Sequence, residues 1–214
     1  DDDKIVKIFK RLELNSLLKN ELGKNNHNAN HAKDSKKIDT KNYNIITKEN
    51  ELLSIIEDIK KKKFFSFDLE TSSLDYMEAK IVGISIALSD KKSYYIPIGH
   101  SSNIKYKQLS EKYVLDNLKP ILQSEKLKKI GHNLKYDRNV LVNYNINLVG
   151  IEHDSMLLSY VYDSTAIRHG LDNAAEKYLS HKTIHYEDVA GKGAKQIPFA
   201  DVDIDIAAEY ACED

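Results

Sequence analysis

The chain has 214 residues, 41% of them hydrophobic and 30% charged, which is long and apolar enough for one or two domains with a real core. Its 32 Lys and Arg against 33 Asp and Glu leave a net charge of −1, less basic than a protein that coats duplex DNA non-specifically, so a grip on a polyanion must be local. Cys212 is the sole cysteine, which excludes an intrachain disulfide, and no apolar run approaches a membrane span or a secretory leader.

Ile5, Ile8, Phe9, Leu12, Leu17, Leu18 and Leu22 recur at roughly helical spacing, predicting one or two short amphipathic helices in a lead-in over residues 1–22. From Gly23 to Asn44 half of the residues are Asn or Lys. So little apolar surface cannot offset the ordering entropy, and residues 23–43 read as a flexible linker rather than as a metal site at His27 and His31. The bias also suggests an A+T-rich gene. A compact domain is expected over residues 44–214.

Within that domain, Thr47 is placed to cap a helix through Leu52, Leu53, Ile55, Ile56 and Ile59, closed by Lys60–Lys63, whose charge suits the negative pole of the helix. Strands follow over Phe64–Glu70, Ile81–Leu88 and Ser93–Ile98, the last two joined by a turn at Asp90-Lys91-Lys92. Gln108–Gln123 and Asn133–Tyr144 predict helices on either side of a short strand, Lys128–Gly131. Asp154 is placed to cap a further helix, with Met156, Leu157, Leu158 and Val161 on its apolar side. A last helix starts at Asp203 or Asp205. Antiparallel strands followed by alternating strand and helix predict an α/β layered sheet.

The apolar run Phe64-Phe65-Ser66-Phe67 ends in Asp68-Leu69-Glu70. With strand period two, Phe65, Phe67 and Leu69 face a core while Ser66, Asp68 and Glu70 share the opposite face. Two such carboxylates, about 7 Å apart at the backbone, can converge on one divalent cation. Asn133 and Asp137 stand i, i+4 on one helix, and Tyr210 and Asp214 on another. Hard cations take a few carboxylates plus water and substrate oxygens, and a pair of them suits in-line attack on a phosphodiester. Acids gathered without metal repel, so raised pKa values are expected. Each piece alone has an ordinary explanation. Asp-x-Glu ends many solvent-facing strands, Tyr-x-x-x-Asp recurs by chance in helices, and Asn133 is simplest as an N-cap. Their order and combination carry the inference.

Phe67-Asp68-Leu69-Glu70-Thr71, Gly131-His132-Asn133-Leu134-Lys135-Tyr136-Asp137 and Tyr210-Ala211-Cys212-Glu213-Asp214 resemble the three motifs of the DEDDy 3′–5′ proofreading exonucleases. At finer grain the chain is similar to the exonuclease domain of family A, polymerase I-like, DNA polymerases. The segments that carry this are Ser73-Leu74-Asp75, Ile81-Val82-Gly83, Tyr95-Ile96-Pro97, Asp154-Ser155-Met156, Arg168-His169-Gly170, His181-Lys182-Thr183-Ile184 and Ala190-Gly191-Lys192-Gly193. Phe9–Leu18 also resembles the segment that precedes this domain in such polymerases. The resemblance implies an RNase H-like (DnaQ-like) α/β fold, a mixed central sheet flanked by helices, and removal of 3′-terminal nucleotides with two divalent ions, Mg²⁺ or Mn²⁺.

It also implies roles. Asp68, Glu70 and Asp214 would hold the metal that binds the attacking water, and Asp68 would bridge to a second metal that Asp137 supports through water. Tyr210 would orient the nucleophile with Glu70. Leu74 matches a wedge against the terminal base and Tyr186 an aromatic that stacks near it. Thr71 is carried over as a substrate contact, and Asn133 and Arg168 as either structural or substrate-binding. The implied partners are a single-stranded or frayed 3′ end of DNA and a polymerase domain in the same polypeptide beyond residue 214, with no membrane.

Two departures bear on this. Gly23–Asn44 lacks a family counterpart, and the third motif ends at Asp214 where the family helix would continue, so a fragment with a fraying last turn is expected. The alternatives are a freestanding DNA or RNA exonuclease and a vestigial fold that braces a polymerase. The intact acids and tyrosine weigh against the vestigial one. The family implies bacterial cytoplasm or a eukaryotic organelle, and the Asn/Lys bias tilts the expectation toward an organelle such as an apicoplast.

Overall fold

Alternation along Phe64–Thr71 makes an interior strand, β2, with Phe65, Phe67 and Leu69 buried on one side and Ser66 and Asp68 half-buried on the other. The computed structural model describes residues 2–14, 17–18, 43–101, 105–165 and 167–214. Leu22 and residues 23–42 of the expected linker, with His27 and His31, lie outside the described residues, and Tyr43, the last linker residue expected, is already in a strand. The chain forms two compact units, of which the first carries helix α1 (Asp2–Arg11) with Lys10 and Arg11 in its last turn.

In the second unit β2 pairs antiparallel with β3 (Ile81–Ser89) and parallel with β5 (Lys128–Gly131). A turn at Asp90-Lys91 joins β3 to its antiparallel partner β4 (Lys92–Pro97). The parallel strands β1 (Tyr43–Ile45) and β6 (Ile151–Asp154) complete the order β1-β4-β3-β2-β5-β6. The sheet is mixed, as expected.

One face of the sheet is covered by α2 (Glu49–Lys62), α3 (Glu111–Leu122) and α4 (Leu134–Val142). Leu52, Ile55, Ile56 and Ile59 of α2, Val114 and Leu118 of α3, and Leu134 and Leu141 of α4 join Phe65, Phe67 and Leu69 in the larger core. Each such side chain contributes about 1.5–3 kcal/mol when fully buried. The other face takes α8 (Ile204–Glu213), whose Ala207, Ala208, Ala211 and Cys212 are small enough to seat the helix against Val82 and Tyr95. This second layer decides which carboxylates meet.

Several local expectations change. Thr47 does not cap α2: the N-cap position is Lys48, which makes no side-chain cap bond, and Glu49 and Glu51 supply the favourable charge instead. Ser110 starts α3 by accepting from Tyr113 N–H at 3.3 Å, so that helix begins later than Gln108. The apolar side expected of α5 (Ser155–Tyr162) is not buried: Leu157, Leu158 and Val161 are exposed, and Ser159 is the buried position. The last helix starts near Asp203, one of its two expected starts, with Asp203 as its cap, accepting from Asp205 N–H at 2.9 Å. No helix among the described residues is long and apolar enough to cross a membrane.

Candidate active site

Glu70 sits opposite Gly83 in the β2–β3 register, and the glycine is required there. A Cβ on Gly83 would stand 2.0 Å from the Tyr95 hydroxyl oxygen, so only hydrogen leaves room for that ring. Tyr95 Oη lies 2.8 Å from His100 Nε2, and His100 Nδ1 lies 3.1 Å from the Val202 carbonyl. The carbonyl can only accept, so Nδ1 carries the proton and Nε2 accepts from the tyrosine. Burial pushes the His100 pKa down, consistent with a neutral ring. The buried surroundings of Glu70 are thus fixed by packing and by one uncharged hydrogen-bond chain.

Helix α4 brings Asp137 to the strand. Its Oδ1 accepts the Leu69 N–H at 3.0 Å, between the two acids of β2. Asn133 stands at the head of α4 in left-handed conformation, φ 62°, and its side chain makes no cap bond. Buried Asp154 takes that role. It accepts from Asn133 N–H at 3.1 Å and Leu134 N–H at 2.9 Å, and from Met156 and Leu157 N–H of α5 at 3.0 and 3.2 Å. One carboxylate therefore satisfies two helix N-termini.

Helix α8 presents Tyr210 and Asp214 one turn apart, and Asp214 N–H donates to the Tyr210 carbonyl at 3.3 Å. Asp68, Glu70, Asp137, Tyr210 and Asp214 all line one open cavity of about 890 Å³. Thr71, Leu74, Asn133 and Tyr186 line it too. Leu74 projects with 94% of its surface exposed. The Tyr186 ring stacks on Phe199 at 6.1 Å and meets Tyr210 edge-on at 6.4 Å. The Thr71 hydroxyl is engaged with Tyr136 Oη at 2.6 Å and Ser73 O at 3.1 Å. Arg168 is exposed and does not belong to the cavity lining.

His132, Tyr136, Ser155, Leu171 and Gln196 also line the cavity, and reading the sequence missed them as site residues. Tyr136 lies inside the second motif and could have been found there. Gln196 carries no pattern that marks it; it lines the same cavity as Tyr186.

Electrostatics single out the same acids. Burial, then repulsion from Asp137, holds the Asp68 pKa well above the carboxylate range. Burial followed by Asp68, Asp214 and Asp137 does the same to Glu70. Asp137 is raised by burial to about 7 even though backbone N–H groups pull it down. Asp214 is raised to about 8 by burial, Asp68, Asp172 and Glu213, with the Tyr210 hydroxyl opposing. Asp214 keeps exposed surface as a residue, and the burial that counts is that of its carboxyl group. Burial and the same acids push the Tyr210 pKa up, so its hydroxyl stays protonated. Among the described residues no three His, Cys, Asp or Glu side chains are drawn into a closed metal-ligand group.

A mixed sheet whose interior strand and two helices send acids into one cleft defines an exonuclease of RNase H-like fold. RNase D of Trypanosoma brucei has the same fold, with a TM-score of 0.61 over 82% of this chain and 62% of that one, at 11% identity. The family model described as 3′–5′ exonuclease, from family A DNA polymerases, matches residues 43–214, and the chain belongs to that family. It is 42% identical over 174 residues to DNA polymerase I of Pseudomonas aeruginosa, covering 80% of this chain and 19% of the polymerase. It is 38% identical over 188 residues to DNA polymerase I of Borreliella burgdorferi, covering 87% and 20%. The chain spans about one fifth of the length of these curated relatives.

Proposed function

We propose that this 3′–5′ exonuclease unit edits for a family A DNA polymerase, removing nucleotides from single-stranded or frayed 3′ DNA ends with two divalent ions, Mg²⁺ or Mn²⁺. The observation that carries it is the set of acids in one cleft, each with its pKa raised by burial and most by its neighbours. Such a set fits hard cations, because bound positive charge would relieve the repulsion and let every carboxylate ionise. Asp68, Glu70 and Asp214 would hold one ion, and Asp68 with Asp137 the other. A pair of such ions supplies Lewis acidity for the attacking water and for the leaving oxygen.

The remaining work belongs to the chain. Tyr210 keeps its proton and so acts as a donor that orients water, with Glu70, rather than as a base. Tyr186 offers a ring face to any terminal base, which suits an editor that must remove whatever was misinserted. Leu74 stands ready to wedge beside it. We place Arg168 outside the substrate contacts.

Residues 1–22 and 23–43 are read as a lead-in and a linker to the exonuclease domain, and a polymerase domain is the partner expected in the same polypeptide. The bacterial relatives support a bacterial-type setting, while the organelle reading rests on Asn/Lys composition alone. The direct test is release of mononucleotides from single-stranded DNA 3′ ends with Mg²⁺ or Mn²⁺. Undiminished release in excess chelator would sink the metal assignment. A reading frame that continues into polymerase sequence would support the editing role, and a nearby stop codon the freestanding alternative.

A further inference from the structure

The segment His181-Lys182-Thr183-Ile184 takes no part in the chemistry above. It lies between a π-helical turn (Ala175–Leu179) and α7 (Tyr186–Ala190), outside any strand or helix, and only His185 joins α7, where its N–H donates to Asp188 Oδ2 at 3.1 Å and its carbonyl accepts the Asp188 N–H at 2.8 Å. Two carboxylates hold it. Glu213 of α8 accepts from His181 Nε2 at 2.9 Å and from Ile184 N–H at 2.6 Å. Asp172 of α6 (Leu171–Ala174) accepts from the Thr183 hydroxyl at 2.8 Å and from His185 Nδ1 at 2.8 Å. A carboxylate only accepts, so each imidazole carries its proton on the bonded nitrogen. The Glu213 and His181 side chains are 10% and 16% exposed and Thr183 is buried, so water competes poorly for the Glu213 and Thr183 bonds, whereas the Asp172–His185 pair is about half exposed.

We infer that Asp172 and Glu213 are positioning residues that fasten the strap His181–His185 between α6 and α8, so that Tyr186 is presented to the substrate in one orientation. The residue after the strap is Tyr186, and the residue after Glu213 is Asp214. The base-stacking wall and the acid at the end of α8 are therefore tied through a single side chain. A segment without backbone pairing would otherwise sample many conformations, and ordering it on binding would cost affinity. The inference rests on the stacking role of Tyr186 and adds what sets that ring in place.

The test is a double-mutant cycle on the full chain. The probe is a single-stranded oligodeoxynucleotide with 2-aminopurine at its 3′ end, bound in chelator so that nothing is cut. Anisotropy gives affinity, and 2-aminopurine fluorescence reports stacking of the terminal base. Thr183→Val keeps the shape of the side chain and deletes one strap bond. It should weaken binding roughly three- to tenfold, the worth of one net hydrogen bond, and alter the stacking signal of the bound complex. In a Tyr186→Ala background the same substitution should add nothing. Equal loss in both backgrounds, or an unchanged stacking signal with weakened binding, overturns the strap and leaves the stacking role standing. Unchanged binding by Tyr186→Ala overturns the stacking role and the inference with it. Should Thr183→Val fail to fold by circular dichroism, Glu213→Gln replaces it in the same cycle with the same expected non-additivity.

Discussion

Asp68 and Glu70 stand on a strand whose opposite face is packed under Phe65, Phe67 and Leu69, whereas Tyr186 follows a strap held mainly by hydrogen bonds to side chains. The acid wall is deep and preset, and without metal its burial of like charges works against the fold. The strap wall is shallow and local, held by bonds that any one of four groups can break. The two walls should therefore fail separately, one in chemistry and one in binding.

The largest expected effect is on chemistry. Asp68→Ala with Glu70→Ala should lower nucleotide release by roughly a thousandfold or more, the scale of removing preorganised electrostatic groups. Affinity for single-stranded DNA in chelator should hold or rise, because the substitutions remove two acids and add no negative charge to the cleft. A parallel loss of binding would mean that the walls are not separate.

Next comes packing on the acid side. Gly83→Ala puts a methyl group into the Tyr95 ring, and overpacking of this kind costs about 1–3 kcal/mol, read by urea unfolding. A neutral result would show that Tyr95 can move without penalty. On the strap side, Tyr186→Ala should weaken single-strand binding by about 1–3 kcal/mol, measured by titration, with release at saturating DNA far less affected.

The smallest effect separates the walls by pH. In the fold Asp137 and Asp214 titrate near 7 and 8, against 3.8 for an ordinary Asp, so the folded chain holds more protons than the unfolded one between these values. Stability without metal is then full below about pH 4 and falls as pH rises through 7 and 8. Melting temperature in chelator should drop by several degrees between pH 5 and pH 8.5. Asp137→Asn should flatten that slope and Thr183→Val should leave it. A slope of the opposite sign would contradict the raised acids.

Much was legible before any fold. Strand period two put Asp68 and Glu70 on one face, helical spacing paired Tyr210 with Asp214, and Asp154 was recognisable as a cap, because each depends only on near neighbours along the chain. The cap of α4 was not, since the donors to Asp154 come from Asn133 and Leu134, about twenty residues earlier. The exposed side of α5 was misread for a related reason: apolar spacing marks a face but not whether anything covers it.

By itself, the sequence determined the four central strands, the main helices and the family. Tertiary structure decided that Asp137 would reach the Leu69 N–H, that Arg168 would stay out of the cleft, and that Asp172 and Glu213 would pin the strap before Tyr186. Periodicity is a property of a few consecutive residues, whereas these contacts join positions far apart in the chain, brought together only when α4, α6 and α8 take their places around the sheet.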